Sequence, residues 1–425
     1  MGAGSAVARM TGGADVVRWS GVPIAVVGIG ADGWRGLGET ARDAITGCDV
    51  LMGSARQLAL VPDDVSAERI SWPSPLLPAL AGLLRAHADS RICVLASGDP
   101  MFYGIGVTLA KLFGPEALRV IPQPSSASLA CARLGWPLAE VPVVSMVGRA
   151  PANLLPELTG GRRILVLSAD ADTPALIADL LSRNGFGSST LTVLEQLGGP
   201  GERIVSATAS TWDDPRTDPL NIVAIDVVAE AGRPRATRLP GLPDVLFGGD
   251  TQLTKSEVRA LTLTALAPAP GELLWDVGGG SGSIAIEWCR THPSCRAVSF
   301  ERLEQRRQRI ADNAVALGAP GIEVRGEVCA ELASADLPAP DAIFLGGGLT
   351  QDGVFETCWS HLGQGGRLVA NAVTAETEAM LVGLAAAHGG ELRKFQVYRA
   401  EPLGGFTAWR PQLPVAQWSV VKGSA

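Results

Sequence analysis

The chain has 425 residues, of which 47% are apolar and 18% are charged, and its net charge is −8. This length predicts two or three domains, and the composition excludes a disordered chain. The acidic balance disfavours a nucleic-acid-binding protein, and no apolar run approaches the roughly 18 residues of a membrane-spanning helix. Residues 1–20 are small and polar and are predicted to be a disordered tail.

The seven cysteines are widely spread and include no CxxC pair, so the sequence predicts neither a disulfide framework nor a zinc ribbon. The four histidines lack metal-ligand spacing, and no metal site is expected. This use of cysteine favours a cytoplasmic protein.

The first long segment alternates strand-like and helix-like runs. Strands are predicted at residues 24–27, 92–96, 143–146, 164–167, 191–194 and 222–225, and a helix is predicted at residues 38–48. The pattern changes near residue 120. The sequence therefore predicts one domain, residues 21–230, built from two α/β lobes with a ligand cleft between them.

A short proline-rich stretch follows. Residues 231–243 hold three prolines, two glycines and three arginines, which cannot continue a helix or a central strand, so a linker is predicted there.

The last segment, residues 244–425, is a clearer βαβ series. Strands are predicted at residues 272–277, 296–300, 322–324, 342–345 and 367–370, and helices at 257–266, 283–290 and 303–317. Continuous apolar strands between helices predict a doubly wound parallel sheet whose ligand site lies at the carboxyl ends of the strands.

A glycine-rich loop follows the first strand of this segment. Asp276-Val-Gly-Gly-Gly-Ser-Gly282 allows close backbone approach to a ligand and opens a helix. Glu301 ends the next strand, where a carboxylate can accept both ribose hydroxyls of an adenosine. The alternative is a tight strand-to-helix turn followed by an exposed strand-end acid.

This Asp-x-Gly-x-Gly-x-Gly loop resembles the first motif of Rossmann-like S-adenosylmethionine (SAM)-dependent methyltransferases. Together with Leu253-Thr-Lys-Ser-Glu-Val-Arg259, residues 365–369 and Asn371-Ala-Val-Thr374, it resembles the decarboxylating C15-methyltransferases of corrin biosynthesis over most of residues 240–425. Gly346-Gly-Gly348 stands where amino-directed DNA methyltransferases carry an Asn-Pro-Pro-Tyr type motif, which disfavours base methylation. The resemblance implies SAM contacts at Thr254, Gly278, Gly279, Gly280, Ser281, Gly282, Glu301 and the backbone of Val328.

Three loops of the first segment also follow strands. Gly28-Ile-Gly-Ala-Asp-Gly33, Ala96-Ser-Gly-Asp-Pro-Met-Phe-Tyr-Gly104 and Pro122-Gln-Pro-Ser-Ser-Ala-Ser128 could each be a turn, but their order and spacing resemble the tetrapyrrole methylase family over roughly residues 22–230. That family's first loop usually reads Gly-x-Gly-x-Gly-Asp, whereas Asp32 here precedes Gly33. The resemblance implies SAM contacts at Ala31, Ser97, Gly98, Asp99, Phe102, Ser125 and Ser126, and backbone contacts near Ser168.

The order of the two domains resembles the bifunctional, decarboxylating precorrin methyltransferases of cobalamin biosynthesis. This implies methylation of precorrin-6Y at C5 by the first domain and at C15 by the second, with loss of CO₂ from the C12 acetate to give precorrin-8X. It also implies two SAM sites per chain and a tetrapyrrole substrate, with no nucleic-acid or membrane partner; a homo-oligomer is expected.

The acceptor carbons of such a macrocycle are electron-rich and attack the methyl group directly, so no strong general base is needed and no catalytic residue is assigned. Two alternatives stay open at this point. One is the cobalt-containing version of the same step in the anaerobic pathway. The other is a non-catalytic nucleotide-binding fusion that senses SAM or NAD.

Overall fold

The computed structural model describes residues 19–213, 217–249, 253–335 and 337–423. The chain forms two compact units. The first comprises the described residues up to Gly148 together with Arg163–Leu181 and Ser189–Asp226, and the second comprises Arg149–Arg162, Ser182–Ser188 and the residues from Val227 onward. The predicted tail lies outside the described residues except for its last two positions.

The first unit contains two five-stranded sheets. The strands are β1 Ile24–Ile29, β2 Val50–Gly53, β3 Glu68–Ser71, β4 Ile92–Ser97, β5 Leu118–Ile121, β6 Val143–Ser145, β7 Arg163–Leu167, β8 Thr190–Glu195, β9 Arg203–Thr208 and β10 Asn221–Asp226. The helices of this part of the chain are α1 Glu39–Thr46, α2 Ala55–Leu58, α3 Leu76–Ala86, α4 Ile105–Phe113, α5 Ser126–Leu134 and α6 Thr173–Arg183. The first sheet is parallel, in the order β3-β2-β4-β1-β5. The second has the order β6-β7-β10-β8-β9, and its β6–β7 pair is parallel while its other pairs are antiparallel.

The second unit is built on a seven-stranded sheet. Its strands and those of a separate hairpin are β11 Leu273–Val277, β12 Arg296–Phe300, β13 Glu323–Arg325, β14 Ala342–Leu345, β15 Arg367–Ala372, β16 Glu391–Phe395, β17 Tyr398–Leu403, β18 Phe406–Pro411 and β19 Val415–Val421. The helices are α7 Ser256–Leu266, α8 Ser283–Thr291, α9 Glu304–Ala316, α10 Val328–Ser334, α11 Val354–His361 and α12 Ala375–His388. The sheet order is β13-β12-β11-β14-β15-β19-β16, and β17 and β18 pair only with each other in the described chain.

Apolar strands explain why both faces of this sheet are covered. Trp275 on β11 and Phe300 on β12 are buried, and their rings meet edge to face with centroids 5.5 Å apart. Trp418 on β19 is fully buried in the same cluster, against α11 and α12. On the other face, Leu274 of β11 and Phe344 of β14 are buried in a second cluster with α7 and α8. The sheet therefore lies between two helix layers.

The predicted fold class, α/β with a two-lobed first domain and a doubly wound second domain, is confirmed, with one difference. The five strands from β11 to β15 are parallel, but β19 pairs antiparallel with β15, and β16 pairs antiparallel with β19. The apolar run of β19 resembles that of a parallel strand because β19 is also buried on both faces. Residue type alone therefore does not give its direction.

The stretch predicted as a linker, residues 231–243, contains neither a helix nor a strand. It is nevertheless firmly bonded within the second unit. Arg238 forms an ion pair with Glu157, and the backbone N–H groups of Gly241 and Leu242 donate to the carboxylate of Glu287 at 2.6 and 3.0 Å. Leu242 is buried. The proline and glycine content therefore reflects an irregular path and not a loose spacer.

Among the described residues, no helix combines the length and the apolar character needed to cross a membrane.

Candidate functional site

The second unit contains a cavity of about 450 Å³ at the carboxyl ends of β11, β12 and β14. This is the edge at which the sequence placed a ligand. The glycine loop after β11 forms one wall, and the ends of the neighbouring strands form the others. The predicted contact residues that line it are Thr254, Gly278, Gly279, Gly280, Ser281, Glu301 and Val328. Gly282 lies beyond them, at the start of α8, where an added Cβ would meet Ile310 at 2.8 Å.

Two glycines shape this cavity in different ways. A Cβ on Gly278 would lie 2.7 Å from the backbone nitrogen of Gly347, so the loops after β11 and β14 approach more closely than any side chain allows. Gly280 has φ +59°, and the nearest protein atom to an added Cβ is 3.8 Å away. Because Gly280 is in the cavity wall, a side chain there would take up space that a ligand needs.

Glu301 ties the end of β12 to the glycine loop. Its Oε2 accepts a hydrogen bond from the N–H of Gly280 at 3.0 Å, and its Oε1 accepts one from the N–H of Leu303 at 3.0 Å. A carboxylate oxygen has two acceptor positions, so each oxygen keeps one for a ribose hydroxyl. Glu301 can thus bind a ligand while it holds the loop.

Asp276 is fully buried beneath the cavity. Its Oδ2 accepts a hydrogen bond from the hydroxyl of Ser299 at 3.2 Å. Burial raises the pKa of Asp276 to about 7; the Ser299 hydrogen bond opposes this rise, and the nearby charge of Glu301 adds to it. A cationic ligand such as a sulfonium ion would favour the ionised carboxylate. A positively charged ligand and an ionised Asp276 would therefore stabilise each other.

Sequence reasoning missed several residues of the cavity wall. Arg302 and Arg306 lie beside Glu301, and Gln351 follows the triple glycine after β14. Arg302 and Arg306 are four residues apart around the start of α9, so they lie on the same side of the chain. This spacing could have identified both as neighbours of Glu301. Glu327, next to Val328, caps α10 by accepting from the N–H groups of Cys329 and Ala330 at 3.2 and 2.9 Å.

In the first unit, the three predicted loops come together at the carboxyl ends of β4, β1 and β5. A Cβ on Gly28 would lie 1.9 Å from the carbonyl oxygen of Gly98 and 2.8 Å from the backbone nitrogen of Gln123. This contact needs glycine at position 28. It brings the loop after β1 against the other two.

Ser97 ends β4 at this junction and is held from α2. Arg56 Nη2 and Gln57 Nε2 donate to its hydroxyl oxygen at 2.9 and 3.2 Å. These two bonds fill both acceptor positions of the hydroxyl, which leaves its O–H to act as a donor. Arg56 and Gln57 were not predicted. The Ser54-Ala-Arg-Gln57 capping box that places them was the available signal.

The other predicted contacts of the first unit surround the same edge. Asp99 Oδ1 accepts from the N–H of Met101 at 2.8 Å, which closes a local turn. Phe102 packs against the core of the second lobe, and Ala31 touches the loop at Gly199 from that lobe.

The third loop leads into α5. Ser125 caps this helix by accepting from the N–H of Ser128 at 3.1 Å, and Ser126 begins it. Ser168, just after β7, donates to Asn221 at 2.5 Å. Asp32 folds back over its own loop, since a Cβ on Gly36 would lie 1.8 Å from its carboxylate. A turn role thus accounts for Asp32.

The cysteines and acidic residues form no competing centre. All seven cysteines are free. Within residues 19–213, 217–249, 253–335 and 337–423, no three His, Cys, Asp or Glu side chains are grouped to hold a metal ion.

Two protein families match this chain. The Tetrapyrrole (Corrin/Porphyrin) Methylases match residues 23–213, and the Precorrin methyltransferase domain matches residues 245–422. Over 402 residues the chain is 50% identical to the precorrin-6Y C(5,15)-methyltransferase [decarboxylating] of Mycobacterium tuberculosis, covering 94% of this chain and all of that protein. The chain belongs to this methyltransferase family.

A second full-length relative supports this membership. The enzyme of the same name from Sinorhizobium sp is 47% identical, with 94% of this chain and 96% of that protein covered. The crystal structure of the C-terminal domain of precorrin-6Y C5,15-methyltransferase from Rhodobacter capsulatus is 45% identical, covers 44% of this chain and all of that one, and has a TM-score of 0.41. As a member of the family, the chain is a SAM-dependent methyltransferase.

We expect Gly280→Val to weaken ligand binding in the second unit. The side chain would project into the cavity, and a β-branched residue at positive φ adds roughly 1–2 kcal/mol of strain. SAM affinity in that unit should fall at least about tenfold, which corresponds to ~1.4 kcal/mol. Gly365→Val is the matched control, because Gly365 has φ +78° and open space around it. Calorimetric titration that gave equal affinities for the two variants would show that residue 280 does not contact the ligand.

Asp99→Asn should weaken SAM binding in the first unit roughly tenfold, because a charge-assisted hydrogen bond contributes ~1.5–3 kcal/mol. The asparagine can still accept from Met101, so the turn should survive. Asp49→Asn is the control: its carboxylate pairs with Arg91 at the opposite edge of the same sheet. If both variants bind SAM like the parent in titration, Asp99 is only a turn residue.

Proposed function

We propose that this chain is a bifunctional enzyme of cobalamin biosynthesis that acts on precorrin-6Y. The first unit methylates C5. The second methylates C15 and removes the C12 acetate carboxyl group as CO₂, which gives precorrin-8X. The observation that carries the proposal is the pair of glycine-shaped sites at the carboxyl ends of parallel strands, one in each unit and each within a stretch that matches a methyltransferase family.

Each site fits SAM by its own geometry. In the second unit, positive-φ glycines leave backbone close to the cavity, Glu301 keeps free acceptor positions, and Asp276 favours a cation. In the first unit, Ser97 presents a hydroxyl donor and α5 presents its N-terminus. When bound, SAM supplies an electrophilic methyl group. We propose two such sites per chain.

The protein's task in methylation is mainly to hold two reactants in line. The acceptor is an electron-rich carbon of the macrocycle. The new C–C bond forms with that carbon's own electrons while the bond between the methyl group and the sulfonium sulfur breaks, the thioether S-adenosylhomocysteine leaves, and the proton of the acceptor carbon is released to water. The chain therefore need not supply a strong base. Holding reacting atoms in a near-attack geometry is worth several orders of magnitude in rate. Asp276 and Glu301 support this role because both carboxylates accept hydrogen bonds from neighbouring parts of the chain.

Decarboxylation also uses the electrons of the substrate. The bond between the acetate CH₂ and its carboxylate breaks, CO₂ leaves, and the electron pair passes into the conjugated imine of the macrocycle. The chain's residues hold the macrocycle while this occurs. No oxidant or reductant is consumed.

Mass spectrometry of the full chain with precorrin-6Y and SAM tests the proposal. The expected product has gained two methyl groups and lost one CO₂. Gly280→Val should give a product with one added methyl group and no CO₂ loss. Turnover of the cobalt-containing substrate alone would favour the anaerobic reaction, which the names of the full-length relatives do not support. Saturation with NADH and no binding of SAM would leave only the sensor alternative.

We also propose that the chain forms a homo-oligomer through the hairpin of β17 and β18. Phe406, Trp409 and Leu413 on and beside this hairpin are 83%, 72% and 72% exposed. A two-stranded hairpin with open edges is marginally stable alone, and apolar patches of this kind mark interaction surfaces. The same hairpin on a second copy presents complementary antiparallel edges, which suits a two-fold interface.

We also propose a cytoplasmic location for the protein, supported by its seven free cysteines.

Phe406→Asp should convert the oligomer into monomers, because it would bury a charge in the proposed interface. Light scattering during size-exclusion chromatography measures the mass. Leu77→Asp, at a residue 67% exposed on α3, is the control and should leave the mass unchanged. A parent chain that is already monomeric, or a Phe406→Asp chain of unchanged mass, would contradict an interface at the hairpin.

A further inference from the structure

A buried ion pair joins α7 and α8 behind the cavity of the second unit. Arg259 Nε lies 2.7 Å from Glu287 Oε1, and the two side chains are 0% and 1% exposed. A buried pair of this kind gives little net stability, because removing both charges from water offsets their attraction. The ion pair therefore serves mainly to hold neighbouring parts of the chain in position.

The guanidinium group of Arg259 bonds to the chain that leads into α7. Its Nη2 donates to the carbonyl oxygen of Leu242, and its Nη1 donates both to Asp244 Oδ1, at 2.8 Å, and to the carbonyl oxygen of Thr254. One rigid, planar group thus connects three points of this segment.

Glu287 fixes the same segment from the other side. Its two oxygens accept from the backbone N–H groups of Gly241 and Leu242. The ring of Phe247 lies against the guanidinium, 4.7 Å from centroid to Cζ. The pair and the ring therefore hold residues 241–247 in place.

Thr254 is the point at which this cluster reaches the cavity. It lines the cavity wall, yet it belongs to no helix or strand, so no regular backbone ladder holds it. The bond from Arg259 to its carbonyl oxygen supplies the missing constraint.

We propose that Arg259, oriented by Glu287, is a positioning residue for the ligand site of the second unit and acts through Thr254. The proposal rests on the proposed function, which makes SAM the ligand of that cavity. It predicts that a change at Arg259 alters ligand affinity beyond its effect on folding.

Arg290 provides a matched control in the same unit. It is 2% exposed, and it also donates to backbone carbonyl groups, those of Ala236, Thr237 and Leu317. None of these residues lines the cavity. Arg259→Lys and Arg290→Lys therefore disturb equally buried arginines, of which one bonds to the cavity wall.

Hydrogen exchange of the full chain, followed by mass spectrometry during titration with S-adenosylhomocysteine, tests the proposal without turnover. Protection of peptides covering residues 276–290 reports on the second unit, and residues 92–104 report on the first. We expect Arg259→Lys to raise the concentration for half-protection of residues 276–290 about tenfold, the effect of losing one hydrogen bond to a charged group. Residues 92–104 should titrate as in the parent, and Arg290→Lys should shift neither value.

Asp244→Asn is a milder second variant, because Asp244 is partly exposed and contacts Arg259 only at the Nη1 atom that bonds to Thr254; its other carboxylate oxygen lies 3.5 Å from Arg399. If Arg259→Lys does not fold, Asp244→Asn should still raise the half-protection concentration about threefold, as expected for a weakened hydrogen bond. The proposal is overturned if every variant that folds titrates like the parent, or if Arg290→Lys shifts the second unit as much as Arg259→Lys. A parent chain whose residues 276–290 gain no protection would instead refute SAM as the ligand.

Discussion

Close contact between backbones at the carboxyl ends of adjacent parallel strands is the constraint on which both candidate sites depend. In the second unit, Gly278 approaches the nitrogen of Gly347, and in the first, Gly28 approaches the carbonyl oxygen of Gly98; a Cβ would stand at 2.7 and 1.9 Å respectively. Such contacts bring loops together without side chains between them, so main-chain donors and acceptors line the candidate sites directly. The two sheets thus share the same local feature, a glycine that allows close backbone contact at the end of a parallel strand.

This constraint also explains which parts of the candidate sites could be predicted from the sequence. An apolar strand followed by a glycine-rich turn shows in the sequence, and the loops at Gly28 and Asp276 were placed correctly at strand ends. Strands β16 to β19 were not predicted, so neither the antiparallel pairing of β19 nor the hairpin of β17 and β18 was foreseen. Strand direction depends on which neighbour the strand pairs with, and the hairpin lacks the buried alternation that marks a strand.

The proline-rich stretch at 231–243 shows a second limit of sequence reasoning. Its composition predicts an irregular path correctly, but composition does not show how firmly such a path is held. The partners lie far away in sequence: Arg238 pairs with Glu157, and Glu287 accepts from Gly241. Because residues 149–162 belong to the second unit, a boundary drawn by sequence order alone separates groups that are bonded to each other.

Three charged residues near the second cavity each hold a stretch of backbone in place. Glu301 bonds to the glycine loop, Glu327 caps α10, and Arg259 bonds to Thr254, so each fixes backbone that forms the wall or lies next to it. Because the substrate supplies the electrons for this reaction, the chain need not act as a strong acid or base. It must instead hold the reactants rigidly in position. The charged side chains near the cavity hold its backbone in place, as such a reaction requires. This explains why the cavity contains several carboxylates although no general base is proposed.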